Sequence, residues 1–486
     1  MAMVVQHNMQ AMNSNRVLGG TTLAQAKSTE KLSSGFRINR AADDAAGLTI
    51  SEKMRKQIKG LNRASKNAQD GISAVQTAEG ALTEVHSMLQ RMNELSTQAA
   101  NGTNSKSDRD AIQSEIGQLT TEIDRVAETT KFNETYLLKG DKDGGEKTIN
   151  LPAHDAGLKG KLTDNGDGTA TFTMDDLKAG NKVSIGGKEY TIGEGDNTKV
   201  AEEVKNMLHK DKEFASGEKI TVNGKEYTYH NKDEETGEAG KKLTKAGFYE
   251  KDPKTLKQAD ANAECKECKD LATPGAVIKA GGKELHILKD KKTPYDENDP
   301  SVISLEEARN RVKKELTDAN KIGNTEEGGK VENDGTNNTF TITVAQAKVP
   351  QTLSFNLHVG SDADMTNKIN VNVEAMTSAY LGVKNLNVSD ETGNAATYAI
   401  DSIGDAISKV SAQRSSLGAI QNRLEHTIAN LDNISENTTA AESRIRDTDM
   451  ASEMVEYSKN NILKQAGTSM LAQANQSSQG VLALLQ

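Results

Sequence analysis

Cys265 and Cys268 flank Lys266 and Glu267, and they are the two cysteines of a 486-residue chain. A C-x-x-C spacing serves as half of a zinc site or as a redox pair. No second C-x-x-C completes a four-cysteine site, so His230 or His286 would have to supply further ligands. The segment around the pair reads as a helix over about 254–272 rather than as a zinc knuckle. Zinc, a disulfide and two plain thiols all stay open on spacing alone, and the expectation is that no catalytic metal is held. Other chemistry is sparse. The eight histidines are scattered and form no H-E-x-x-H. No G-x-S-x-G elbow and no phosphate or dinucleotide glycine loop follows a strand. Around Asp164, Asp167 and Gly168 the glycine falls at the wrong offset for a calcium loop. Triplets such as Asn133-Glu134-Thr135 are what an Asn- and Thr-rich chain produces by chance. No cofactor and no metal is expected, and the chain does not read as an enzyme.

Composition points to assembly rather than catalysis. Apolar residues make up 35% of the chain and aromatics 3%, with no tryptophan, so one large aromatic core is excluded. Ala, Leu, Ile, Val and Met at regular spacing suit thin helical seams instead. The formal net charge of −10 argues against nucleic acid as the main partner. No apolar run reaches the ~18 residues of a membrane helix, and no membrane partner is expected. The first residues, MAMVVQHNMQ, have neither the basic nor the apolar region of a signal peptide. Length alone gives about three domains.

All six prolines and both cysteines fall between positions 152 and 350. Proline breaks helix interiors, so the two ends are free to form long helices. Their periodicity agrees. Ile112, Ile116, Leu119, Ile123 and Val126 repeat at steps of four and three, a coiled-coil seam. Ile72, Val75, Leu82, Val85, Leu89 and Met92 share that frame, with Glu79 as a polar interruption. Ile400, Ile403, Ile407 and Val410 continue, after a seven-residue step, to Leu417, Ile420, Leu424, Ile428 and Leu431. These predict a helix over about 45–100, a reversal at 101–108, a helix over about 108–130 and a partner over about 395–440. At ~1.5 Å per residue the first is about 80 Å long.

Residues 3–35 carry Met3, Val4, Met9, Met12, Val17, Leu23 and Leu32 in a polar background. Residues 450–486 carry Met450, Met454, Ile462, Leu463, Met470, Leu471, Val481, Leu482 and Leu485 in a similar one. Such narrow stripes do not hold isolated helices, so the two ends need each other or neighbouring molecules. The middle repeats itself: KVSIGGKEYTI (182–192), KITVNGKEYTY (219–229) and AVIKAGGKELHI (276–287) each signal a hairpin around Gly-Gly or Asn-Gly. Helical segments at 198–210, about 254–272 and 304–321 follow them. DGTATFTM (167–174) echoes DGTNNTFTITV (334–344). One or two small α+β modules are expected here.

KLSSGFRINRAADDAAGLTISEKMRKQIKGLNRASKNAQDGISAVQTAEGAL (31–82), RMNELSTQAANGTNS (91–105) and EIDRVAETTKFNETYLL (122–138) resemble the N-terminal core of bacterial flagellin. RIRDTDMASEMVEYSKNNILKQAGTSMLAQANQSSQGVLALLQ (444–486), with the run from Leu417 leading into it, resembles the C-terminal core. TLSFNLHVGSDADMTNKINVNVEAMTSAYLGV (352–383) resembles the strand pair that closes the family's rod. The resemblance implies a mainly α fold: terminal helices forming an antiparallel coiled-coil rod with a short β-hairpin region, plus an α+β variable insert. It places an inner terminal-helix domain at 1–42 and 447–486, a helical rod domain at 43–145 and 351–446, and a variable surface-exposed insert at 146–350. It implies a structural, non-enzymatic subunit that polymerises into the flagellar filament for swimming. A hook–filament junction protein, which shares the terminal helices, is the alternative. The implied partners are further copies of the chain, a flagellar export chaperone, and hook-junction and cap proteins. The implied location is outside the cell, reached by type III export. The resemblance further implies recognition by the innate immune receptor Toll-like receptor 5. The family's L-Q-R-x-x-E-L-x-x-Q pattern falls on Leu89, Gln90, Arg91, Glu94, Leu95 and Gln98, and the second rod helix adds Ile112 and Glu115. Leu89, Met92 and Leu95 also fit the seam, whereas Arg91 has to point outward. Asn93 departs from the basic residue often found at its place.

Overall fold

The computed structural model describes residues 8–209, 213–236, 241–255, 265–290, 293–326, 328–333, 338–390 and 392–484. Met3, Val4 and Leu485 of the terminal stripes lie outside the described residues, as do 256–264 of the expected second insert helix and 334–337 of the second DGT echo. In chain order the elements begin with α1 (Met9–Ser34), α2 (Ala45–Ala100) and α3 (Lys106–Thr129). The short pair β1 (Lys131–Phe132) and β2 (Thr135–Tyr136) precedes β3 (Asp141–Asn150), β4 (Lys161–Asp164), β5 (Thr169–Thr173), β6 (Lys182–Ile185) and β7 (Lys188–Gly193). Then come α4 (Asn197–His209), β8 (Lys219–Val222), β9 (Lys225–His230), β10 (Gly247–Tyr249), α5 (Cys268–Leu271), β11 (Val277–Ala280), β12 (Lys283–His286) and β13 (Val302–Ser304). The chain returns through α6 (Leu305–Asn320), β14 (Lys330–Asn333), β15 (Thr339–Thr343), β16 (Gln346–Gln351), β17 (Leu353–His358), β18 (Lys368–Val373) and α7 (Ser378–Leu381). It closes with α8 (Asn394–Arg446) and α9 (Met450–Leu484).

The sequence dictates the helix limits through their caps. Asn8 caps α1 by accepting from the Ala11 amide, and Gly35 ends it in the left-handed region at φ 76°. Ser105 and Asp108 form a reciprocal capping box that starts α3 directly after the expected reversal. The long helices match the expected spans to within a few residues, as proline-free, periodic stretches should.

Two compact units result, one from the described parts of Met1–Gln76, Phe355–Val371 and Leu417–Gln486, the other from Thr77–Ser354 and Asn372–Ser416. In the first, α1 lies along α9. Lys31 Nζ meets Glu453 Oε2 at 3.4 Å, and the Asn8 amide nitrogen donates to the Ala474 carbonyl at 3.0 Å. At their shared root the Phe36 ring is covered by the Arg446 and Arg55 guanidinium groups, 4.7 and 5.5 Å from its centroid. Further along, Ala68, Val359, Ile369 and Leu424 form a small core. Gly71 makes room there for Leu357 of β17: a Cβ built on it would stand 2.2 Å from that side chain, which a larger residue would have to displace.

In the second unit, Leu82, Val85, Leu89, Met92, Leu95 and Ala99 of α2 are buried, with Ile112, Ile116, Ile123 and Ala127 of α3 and Ile403, Ala406 and Val410 of α8. Glu79, the polar interruption, faces Arg414 at 3.7 Å. The seven-residue step after Val410 is occupied by Gln413, which is buried and donates to the Asn372 carbonyl at 3.1 Å. Asp124 of α3 caps α7 by accepting from the Ser378 amide at 2.7 Å and its hydroxyl at 2.8 Å.

The middle of the chain enters and leaves on one antiparallel pair, β3 with β16. Glu146 and Pro350, the expected limits of the insert, are directly opposed residues within that pair. Inside it are two cores. One gathers β4–β7, β14, β15 and α6 around Phe172 and Phe340, and it includes Tyr398 of α8. The two DGT echoes are its central strands: β5 and β15 pair so that Phe172 stands opposite Phe340. The second gathers α4, α5 and the five-stranded sheet β10-β9-β8-β11-β12, in which the second and third hairpin repeats pair edge to edge. The expected helix over 254–272 is corrected in its described part. Pro253–Thr255 is a single 3-10 turn, and a single α turn begins only at Cys268. Lys266 is extended instead, exchanging backbone hydrogen bonds of 2.9 and 3.0 Å with Phe248, which closes the open edge of β10.

Candidate assembly and recognition surfaces

The α1–α9 pair is built the wrong way round for a self-sufficient coil. Ser28, Asn460 and Ala474 are its buried residues, small or polar, among those described. Its large apolar side chains face out: Met9, Met12, Val17 and Leu23 on α1, and Met450, Met454, Val455, Ile462, Leu463 and Met470 on α9. Leu23 and Val455 are each 69% exposed. The helices approach closely where Gly467 faces Leu18, since a Cβ there would stand 3.3 Å from that side chain. Exposed apolar side chains in such number mark an interaction surface. Val455 was not in the stripe read from sequence. It lies one residue past Met454, off the narrow face that periodicity picks out.

On α2 and α3 the eight residues of the expected receptor patch divide. Leu89, Leu95 and Ile112 are 0%, 2% and 7% exposed and belong to the seam. Gln90, Arg91, Glu94, Gln98 and Glu115 are exposed above it. Arg91 bridges the two helices: its Nε donates to Glu115 Oε1 at 3.0 Å, and Nη1 to Glu94 Oε2 at 3.3 Å. These two carboxylates, Glu115 foremost, hold its guanidinium above its ordinary range. Gln90 Nε2 lies 3.1 Å from His86 Nε2. The result is a polar ridge with a fixed cation, resting on an apolar floor that a partner cannot reach.

The cysteine pair is divided by the sheet. Both thiols are free. Cys268 is buried in the second insert core, and burial pushes its thiol up to about 12. Cys265 lies on the small cluster of Leu243 and Tyr249, with Sγ 3.7 Å from the Ala246 carbonyl. His230 is held by Glu234 at 2.9 Å. Among the described residues, no three His, Cys, Asp or Glu side chains come together as a metal site, and no helix is long and apolar enough to cross a membrane.

Comparison with known proteins bears on the whole chain. Residues 5–143 match the bacterial flagellin N-terminal helical region, and residues 400–485 match the bacterial flagellin C-terminal helical region. A flagellin of Clostridium tyrobutyricum is 38% identical over 480 residues, which is 98% of this chain and all of the relative. Flagellin B of Vibrio anguillarum is 33% identical over the full length of both chains. Among solved structures, FliC from Burkholderia pseudomallei aligns at 19% identity with a TM-score of 0.22, covering 73% of this chain and 99% of that one. Hook-associated protein-3 from Legionella pneumophila aligns at 14% identity with a TM-score of 0.32, covering 81% and 98%.

Proposed function

The chain belongs to the bacterial flagellin family, and from that premise we propose that the outward apolar side chains of α1 and α9 are the surface through which it polymerises. The protein is a structural subunit of the extracellular flagellar filament, not an enzyme. The observation that supports the proposed surface is the inverted packing of the terminal pair, small residues inside and large apolar ones outside. A neighbouring copy covers what one chain leaves bare. At ~25 cal/mol per Å² of apolar surface, burying several Met, Leu and Ile side chains offsets the loss of freedom on joining a polymer. The same stripes are what an export chaperone and the cap and hook-junction proteins would engage before incorporation. Removing residues 450–486 should leave a soluble helical chain that does not polymerise when nucleated with filament fragments. Normal filaments from that truncation would place the assembly surface elsewhere. Recovery of the full chain at the hook–filament junction rather than along sheared filaments would assign it to the junction instead.

The exposed ridge is, in the same reading, the site for Toll-like receptor 5. Gln90, Arg91, Glu94, Gln98 and Glu115 are its contact residues, while Leu89, Leu95 and Ile112 support it from beneath. A cation held in place by two carboxylates is preorganised, so less side-chain freedom is lost on binding. The matching of these positions to the family pattern and the outward direction of Arg91 support the assignment.

A further inference from the structure

Where the insert's entry strap meets α8, an imidazole stands beside a carboxylate of the helix. The strap, Leu151–Asp155, leaves β3 and is fixed by its backbone. The His154 amide donates to Asn320 Oδ1 at 2.9 Å, and Asn320 Nδ2 donates back to the His154 carbonyl at 2.8 Å. Asn320 is 1% exposed, and this pair of hydrogen bonds holds the backbone of the strap at His154. His154 Nε2 lies 3.4 Å from Ser402 Oγ and 3.9 Å from Asp405 Oδ2. The facing side of α8 carries Tyr398, Asp401, Ser402, Asp405 and Lys409, a stripe at helical spacing. Buried Ala399, Ile403, Ala406 and Val410 lie between these positions on the apolar side of the same helix.

We propose that His154 is a pH-sensitive latch: when its ring carries a proton, it draws Asp405 and Asp401 to the strap and tightens the insert's hold on α8.

Histidine is the side chain whose charge ordinarily changes between about pH 5 and 8. The charged and titratable groups around this one are Asp155 on its own strap, Asp401, Asp405 and Lys409 on α8, and Tyr380 of α7. Lys409 is already engaged, donating to the Tyr380 carbonyl at 2.9 Å. Three carboxylates therefore share one nearby group that can switch to a positive charge. Asp401 shows the imbalance: partial desolvation raises it above the ordinary carboxylate range, His154 opposes that, and Asp155 and Asp405 add to it. A neutral ring brings the carboxylates no opposite charge. A charged ring turns the Asp405 contact into a charge-assisted one. The sign follows: the added hold is present when the ring is charged and is lost as pH rises.

The test uses hydrogen exchange of the unpolymerised full chain at about pH 6 and about pH 8, corrected for intrinsic exchange rates. Peptides over the strap should be about two- to five-fold better protected at the lower pH, the range of a partly exposed ion pair. His154→Gln keeps a hydrogen-bonding group beside Ser402 but cannot charge, and it should abolish that ratio. Asp405→Asn should reduce it. A ratio of one in the parent, or an unchanged ratio in His154→Gln, would overturn the latch. If His154→Gln does not fold, Asp405→Asn decides, and an unchanged exchange ratio in that variant would overturn the proposal equally.

Discussion

Arg109 reaches back from α3 to the end of α2 and donates its Nε to the Ala99 carbonyl at 2.9 Å. The same guanidinium reaches the carbonyls of Asn101 at 3.3 Å and Asp390 at 3.4 Å. Helix ends leave their last carbonyls unsatisfied, and here one arginine, 3% exposed, serves the end of α2 and the loop that leads into α8. Replacing it with Ala takes the donor from three carbonyls at once, of which the bond to Ala99 is the buried one. Arg109→Ala should cost about 2 kcal/mol or more in folding stability, with the helical signal retained below the lowered melting transition. Unchanged denaturant melting would show that water replaces the guanidinium at no cost.

The ridge proposed to meet the receptor separates two kinds of loss. Arg91→Ala should weaken binding to the Toll-like receptor 5 ectodomain by about 2 kcal/mol or more if it anchors the interface, with melting unchanged because the side chain is half exposed. Leu89→Ala should instead lower stability by roughly 2–5 kcal/mol as a core truncation. Surface plasmon resonance on the monomer, paired with melting curves, distinguishes them. Equal affinity of Arg91→Ala and the parent would remove Arg91 from the site.

Excision of the insert should respect the strand pair that closes it. Asn150 and Gln346 are register partners, so a short turn joining them keeps β3 and β16 whole. That excised chain should still polymerise, provided Tyr398, which loses its cover, is also made polar. A cut at 145 and 351 removes most of the pair and should melt at a lower temperature. If both excisions melt alike, the strand pair contributes nothing to the helices.

The two thiols should react in order. Thiolates are the reactive form, and burial keeps Cys268 protonated up to about 12. Cys265→Ser should therefore label slowly with iodoacetamide at about pH 8 and quickly once denatured, whereas Cys268→Ser should label without denaturant. Fast labelling of native Cys265→Ser would contradict the burial. The unfolded thiol ionises near ~8.5, so folding loses stability as pH rises from there towards 12. Zinc analysis of chelator-free protein should give less than one metal per chain.

Helix positions were legible because proline placement and three-four spacing act within one segment. What filled the gaps was not. Gln413 occupies the interruption after Val410, and its partner is a carbonyl 41 residues earlier. Glu79 is explained by Arg414, far off in sequence. The echo between the two DGT segments was visible, but not that they pair, with Phe172 against Phe340. The L-Q-R-x-x-E-L-x-x-Q pattern matches letter by letter, yet only burial divides it into Arg91 above and Leu89 below. Around the cysteines, a polar stretch with helical composition became an extended edge at Lys266, because Phe248 needed a backbone partner more than the segment needed a helix.

The pairing of β3 with β16 also fixes how the frame responds to length. Apart from its contacts with Tyr398, Ser402 and Asp405 of α8, everything from Asn150 to Gln346 is, to the helices, one loop whose ends are already joined by hydrogen bonds. The entropy of closing a loop grows only with the logarithm of its length, about 0.6 kcal/mol for each doubling. A much longer or shorter stretch between those two residues therefore shifts the stability of the helical part by little more than thermal energy. The outer sequence can therefore change in size at little cost in loop-closure entropy.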